Sequence, residues 1–256
     1  MKGKYNALAA FILTIAVVFA ACEKNIIALP GDTPTGARVK FIQACSNCST
    51  PAVVVNGVTT VPAINVLITA NGQTVNPTGM AYGAPYPVNS YAILPTGEVT
   101  LDFTLTDAKA LLSTKVTLAE GKYYSIYIGD TIPTPTISLV EDDIKSFQDT
   151  FLRARFVNVL TGRTKDTLEL VRKNDNTVVA TGVTYGKASD FKFIPASSAD
   201  TFFYRKVGTT VIYPLTANSI LTSRNNGRTL TFLARGVNNK IGTSPQIPRI
   251  DWWANR

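Results

Sequence analysis

An internal repeat narrows the possible folds more than any other feature of this chain. Gly79-Met80-Ala81-Tyr82-Gly83 recurs as Gly182-Val183-Thr184-Tyr185-Gly186, and Tyr91-Ala92-Ile93-Leu94-Pro95 recurs as Phe191-Lys192-Phe193-Ile194-Pro195. Ala37-Arg38 answers to Ala154-Arg155, and Gly121-Lys122 to Gly227-Arg228. Four landmarks in the same order, at a period of about 110 residues, describe two copies of one structural unit.

The unit reads as all-β. Polar and apolar residues alternate in Ala37-Arg38-Val39-Lys40-Phe41-Ile42, the period of a half-buried strand. Further strand-like runs fall at 52–56, 64–69, 90–94, 99–105, 113–118 and 123–129. After a junction at 131–150, the pattern restarts at 151–160, 167–172, 191–194, 201–206 and 229–235. Asn56-Gly57, Asn71-Gly72, Pro95-Thr96-Gly97 and Asn225-Asn226-Gly227 supply turns between them. With 45% hydrophobic and only 16% charged residues, and no long amphipathic helix, the composition agrees. The expectation is two tandem Ig-like β-sandwich domains, residues 37–140 and 151–256, joined by a linker at 141–150.

The compartment follows from the first residues. Lys2 and Lys4 precede a short apolar run at 7–18 and then Phe19-Ala20-Ala21-Cys22. A basic start, an apolar stretch too short to span a bilayer, and small residues before a cysteine make a cleaved signal peptide, residues 1–21. The last four residues resemble a lipobox, with Phe19 where Leu is usual, so Cys22 is the candidate lipidated first residue. Residues 22–36, with Pro30, Gly31, Pro34 and Gly36, read as a flexible tether. The expected location is the cell envelope, with an outer-membrane lipid anchor on Cys22. The formal charge of +8 becomes +6 once Lys2 and Lys4 leave with the signal. That balance favours acidic partners through long-range attraction, although no basic run concentrates it.

A family resemblance rests on Ala37-Arg38-Val39-Lys40-Phe41-Ile42-Gln43-Ala44, Val53-Val54-Val55, Ile64-Asn65-Val66, Tyr82-Gly83 and Leu94-Pro95-Thr96-Gly97. These resemble the bacterial domain-of-unknown-function family numbered 4397, which opens Ala-Arg-Val-Arg-Val-Val-His-Ala-Ser-Pro. Gln43 stands where the family often has His, Cys45-Ser46 replaces Ser-Pro, and Asn65 replaces an acidic residue. The resemblance implies an exported β-sandwich protein, often a lipoprotein and often with tandem copies. It carries no catalytic residue.

The chain has no histidine, which rules out a Ser-His-Asp or Cys-His mechanism and any zinc site built on His. Cys45 and Cys48, in Cys45-Ser46-Asn47-Cys48, form a candidate disulfide. A redox pair in that spacing normally opens a helix beside a βαβ unit, whereas here Ser49-Thr50-Pro51 and a strand-like run follow. Glu141-Asp142-Asp143 reads as a solvated acidic run in the linker rather than a catalytic or calcium site. Trp252 and Trp253 are candidate ligand contacts, weighed against a terminal strand closing on the sheet or the domain interface. Tyr82 and Tyr185, repeated in both copies, point to a corner that the fold requires. The expected function is a non-catalytic binding or structural module that uses no metal or cofactor. Its partners are the membrane, through Cys22, and an anionic glycan or another envelope protein. Export argues against nucleic acid. An assembly scaffold and a two-carboxylate glycan hydrolase are the alternatives.

Overall fold

The computed structural model describes residues 35–51, 53–144, 151–162, 165–195, 199–213, 219–222, 227–238, 240 and 246–255. The expected signal, Cys22 and residues 145–150 of the expected linker lie outside them. Thr35–Arg256 make up one compact unit. Among the described residues no helix is long and apolar enough to cross a membrane.

The first copy runs through β1 (Ala37–Gln43), β2 (Val53–Val55), β3 (Val58–Val61), β4 (Val66–Ala70), β5 (Gln73–Thr74) and β6 (Pro85–Tyr86). It continues with β7 (Ala92–Leu94), β8 (Gly97–Leu105), β9 (Ala110–Leu118), β10 (Tyr123–Gly129) and β11 (Thr136–Glu141). The second copy contains β12 (Phe151–Asn158), β13 (Leu168–Arg172), β14 (Val178–Val183), β15 (Lys187–Ala188) and β16 (Lys192–Pro195). After these come β17 (Ala199–Lys206), β18 (Ile212–Tyr213), β19 (Ser219–Thr222), β20 (Thr229–Arg235) and β21 (Arg249–Ala254).

Each copy is a sandwich of two sheets. One sheet of the first copy has the order β11-β10-β1-β6, with β7 also on β1, and the other has β5-β4-β8-β9. The second copy repeats this as β21-β20-β12-β15, with β16 on β12, against β14-β13-β17-β18, with β19 on β17. Both copies carry the same parallel pairing in an otherwise antiparallel fold, β1 with β10 and β12 with β20. Val39, Phe41, Ile126 and Ile128 meet Val66, Ile68, Leu101 and Phe103 in the first core. Ala154, Phe156, Phe232 and Ala234 meet Leu168, Leu170, Phe202 and Tyr204 in the second.

Asn56 and Asn71 adopt left-handed φ values of 51° and 49°, each followed by a glycine at φ 77° and 78°. These are the geometries that let two-residue loops close the β2–β3 and β4–β5 hairpins.

The structure changes two sequence readings. The apolar segment inside the expected junction is a strand, β11, paired along its whole length with β10. The first repeat landmark also shifts by two residues. Arg38 pairs with Tyr123 and Ile93, while Arg153 pairs with Thr229 and Phe193, so Arg38 corresponds to Arg153 and Lys40 to Arg155. A two-residue shift keeps every side chain on its face, so alternation alone does not detect it.

A third layer joins the copies. The polar side of β1 was expected to meet water, yet Lys40 is buried, and all of β20 and nearly all of β12 are buried as well. One face of these strands fills its own sandwich; the other packs on the other copy. Ile42, Ala44 and Tyr127 of the first copy meet Val157, Val159, Leu233 and Trp253 of the second. Val157, Val159 and Leu233 occupy the positions of Ile42, Ala44 and Tyr127 in the repeat, so the contact has pseudo-twofold character.

Candidate functional site

At one end of the shared layer a buried polar cluster replaces the apolar contact. Asp142 follows β11, and its backbone N–H bonds to Tyr123 O; Asn255 follows β21, and its N–H bonds to Thr229 O. These two residues are repeat equivalents, and they meet, Asn255 Nδ2 donating to Asp142 Oδ2 at 3.3 Å. Arg155 forms an ion pair with Asp142, both side chains being 1% exposed or less. Ser125 Oγ and Tyr91 OH each donate to Asp142 Oδ2 at 2.7 Å. In the second copy the corresponding bond runs from Thr231 Oγ1 to Asn255 Oδ1 at 2.6 Å. Arg155 Nε donates to Thr231 Oγ1 at 3.0 Å, and Asn255 Nδ2 to Tyr91 OH at 2.9 Å, which ties the two halves together.

The basic members are held by aromatic faces. Lys40 Nζ lies 5.1 Å from the Tyr91 ring centre and donates to Val88 O, while the Arg155 guanidinium lies 4.7 Å from the Phe191 ring centre. Burial pulls the Lys40 amine below its ordinary value, against the opposing charge of Asp142. Burial pushes the Tyr127 hydroxyl up to about 12. It raises Tyr91 further, helped by the negative charge on Asp142.

The acidic run is therefore divided. Glu141 and Asp143 are half exposed, with side-chain exposures of 52% and 47%, and are bound to Lys122 and Arg153; Asp142 is buried. The sequence placed Asp142 in a solvated run; its strand ends on the second copy instead. Alternating charges at equivalent positions, Lys40 and Arg155, and the polar pair that follows the last strand of each copy were the available signal.

Cations engage four carboxylates of the second copy too. Arg172 holds Asp200 through Nε and Nη2 at 2.7 and 3.0 Å, and Arg205 Nε holds Glu169 at 2.5 Å. Lys206 pairs with Asp166, and Arg235 with Asp251. Among the described residues no group of three His, Cys, Asp or Glu side chains gathers as a metal site.

Cys45 and Cys48 are joined as a disulfide, their Cα atoms 5.4 Å apart, in the buried loop after β1. Trp253 is 8% exposed and packs against Tyr127 with ring centres 6.1 Å apart. Trp252 points the other way and is 36% exposed. The shared layer thus takes one tryptophan.

Tyr82 and Tyr185 sit at equivalent corners, where Gly83 N–H bonds to Gln43 O and Gly186 N–H to Asn158 O. Each reaches across to the other copy, but the two ends differ. Tyr185 OH bonds to Thr136 Oγ1 at 3.1 Å, beneath Lys165, whose ammonium lies 4.3 Å from the ring centre. Tyr82 lies beneath the Arg235 guanidinium at 4.4 Å, and its hydroxyl is enclosed beside that guanidinium. Beside Tyr82 opens a cleft of about 410 Å³, lined by Ser49, Thr50, Ala63, Asn65, Tyr82 and Gln246 among others. Gln246 comes from the second copy and donates to Ser46 O at 2.8 Å.

Fold and site together define a two-copy β-sandwich protein in which buried charge serves to join the copies. Residues 52–163 match the family model described as "Domain of unknown function (DUF4397)", the family that the strand motifs resemble. The match starts after β1 and ends beyond β12. No protein of curated function matches the chain. Among solved structures, one of a Bacteroides fragilis protein given a candidate cell-adhesion role is 10% identical, covering 86% of this chain and 98% of that one. Its TM-score is 0.21, too low to bear on the fold or role of this protein.

Proposed function

We propose that the protein is a non-catalytic lipoprotein of the cell envelope, anchored through Cys22 to the outer membrane, whose paired sandwiches form a rigid binding module. The observation that carries this reading is the state of five acids in and around the shared layer and the second copy. Asp142, Asp166, Glu169, Asp200 and Asp251 are each neutralised by an arginine or lysine. A hydrolase that works with two carboxylates needs one of them protonated and poised, which takes burial without a cation or a like charge held close. The shared layer fixes the two copies to each other, and the loops at the sandwich ends are left to vary, which suits recognition.

The lipid anchor is tested by fractionating cells that express Cys22→Ala. The variant is expected in the soluble fraction with unchanged folding, and its retention in membranes overturns the anchor. Turnover on a polysaccharide panel tests the non-catalytic reading, since hydrolysis lost on substitution of a single acid would make the protein an enzyme. Protease treatment of intact cells reports which side of the outer membrane carries the module. Protection until that membrane is opened, with a stable co-purifying protein, favours the scaffold reading.

A further inference from the structure

We infer that the free edge of β9 is a self-pairing surface, to which a second copy of this chain adds its own β9 antiparallel, joining the two molecules as a symmetric dimer. The inference goes beyond the binding-module reading and does not depend on it. β9 runs for nine residues, Ala110–Leu118, at the end of the sheet β5-β4-β8-β9, and among the described residues it pairs with β8 alone. The bonds of β8 show which backbone groups of β9 remain. Asn71 N–H bonds to Thr100 O and Leu105 N–H to Lys109 O, so the even residues of β8 face β4 and the odd ones face β9. With Val99 opposite Val116 and Leu101 opposite Thr114, the N–H and C=O groups of Ser113, Lys115 and Thr117 point to the open edge. A long bare edge is a template for pairing, and proteins blunt such edges with prolines, charges or short strands. The second copy does so. Its corresponding edge is divided between β18, of two residues, and β19, of four, with Pro214 between them in sequence. β9 has no proline and a single charge, Lys115.

The side chains select a second copy as the occupant. Two β9 edges can bond only with odd residues opposite odd ones, and the register with Thr114 on the two-fold axis suits every position. Lys115 then lies opposite Ser113 of the second molecule, whereas a register centred on Lys115 would set like charges against each other. Ser113 neighbours Asp102 on that face, and its hydroxyl donates to the carboxylate. Lys115 is bound to Glu98 of its own molecule at 2.7 Å, while Asp102 has no cation in pairing range among the described residues. The incoming lysine supplies one, and the symmetry repeats the arrangement. On the opposite face Leu112, half-buried against the first core, meets Val116, and Thr114 meets Thr114. Opposite charges, apolar pairs and a threonine pair coincide in one isologous contact that closes at two copies. Edge pairing alone buries less than a standard interface, so the dimer is a weak one.

The test uses the whole mature chain carrying Cys22→Ala, which removes the thiol outside the disulfide. Sedimentation velocity at concentrations up to about 0.5 mM is expected to show a reversible equilibrium between monomer and dimer. Ser113→Pro takes an N–H from the open edge and leaves the ladder to β8 intact, so it is expected to weaken the dimer by roughly tenfold or more with little change in melting temperature. Thr114→Cys sets two thiols across the axis in a non-hydrogen-bonded pair, with Cα atoms about 4.5 Å apart and within disulfide reach. It is expected to cross-link on mild oxidation, whereas Thr117→Cys is not, and this readout holds even if Ser113→Pro fails to fold. A chain that stays monomeric at every concentration overturns the inference, as does a dimer that Ser113→Pro leaves intact. Thr117→Cys cross-linking more readily than Thr114→Cys overturns the register. A different envelope protein cross-linked to Thr114→Cys in place of a second copy gives the edge another occupant and overturns the dimer.

Discussion

At the residue scale, the pair formed by Asp142 and Arg155 is the most exacting feature of the molecule. Two charges removed from water are tolerated because Ser125, Tyr91, Asn255 and Thr231 supply further bonds around them. Asp142→Ala leaves the guanidinium buried without its counter-charge and is expected to cost about 3–5 kcal/mol, read as a lower urea midpoint. The double change Asp142→Leu with Arg155→Met is expected to recover much of that loss, because it removes both charges and keeps volume. If the double variant is as weak as the single one, the bonds around the pair matter more than the pair itself. Tyr127 adds a pH dependence. Its folded value, about 12, lies above the unfolded value of about 10, so the folded state holds the proton more tightly. Its contribution is complete below about pH 10 and is lost as pH rises toward 12, with a slope of up to about 1.4 kcal/mol per pH unit. Denaturant melts at pH 9, 10.5 and 11.5 should show the decline, and Tyr127→Phe should make it shallower.

At the scale of elements, the glycine corners divide into those that need only a backbone shape and those that also need space. Gly57, at φ 77°, has nothing within 4 Å of an added Cβ, so Gly57→Ala should cost about 1 kcal/mol for the left-handed backbone alone. Gly83, at φ 82°, would bring its Cβ to 2.5 Å from Arg235 Nη2. Gly83→Ala is therefore expected to cost more, about 2–4 kcal/mol, because it strains the backbone and displaces the guanidinium that covers Tyr82. Comparing the two melting temperatures checks this, and equal losses would show that Arg235 yields freely. Strands were legible where alternation was strong and turn residues flanked them. β10 and β20 fall at 123–129 and 229–235, as the alternation indicates. β11 and β14 were missed because an edge strand pairs on one side only and carries a weak apolar signal, and the two-residue β5, β6, β15 and β18 give no periodicity to read.

At the scale of the molecule, the shared layer makes the two copies one cooperative body. Calorimetry of the mature chain should show a single transition with equal calorimetric and van't Hoff enthalpies. Val157→Asp, placed in the layer between the copies, should lower that transition by buried-charge cost and split it in two as the copies uncouple. Two transitions in the unsubstituted protein would mean that the layer is too weak to couple the copies.

The repeat, the strand periodicity and the turn glycines were determined by sequence, because each is a local constraint on backbone and on the face a side chain takes. The lack of histidine closed off whole classes of chemistry in the same direct way. What the outward faces of β1, β10, β12 and β20 meet was decided only by tertiary structure. Alternation says that Lys40 and Arg155 leave their own core; it does not say whether water or another sheet lies beyond. Packing one copy on the other turned a polar face into an interior, a presumed linker acid into a buried partner, and two repeated tyrosines into unequal ends of one seam.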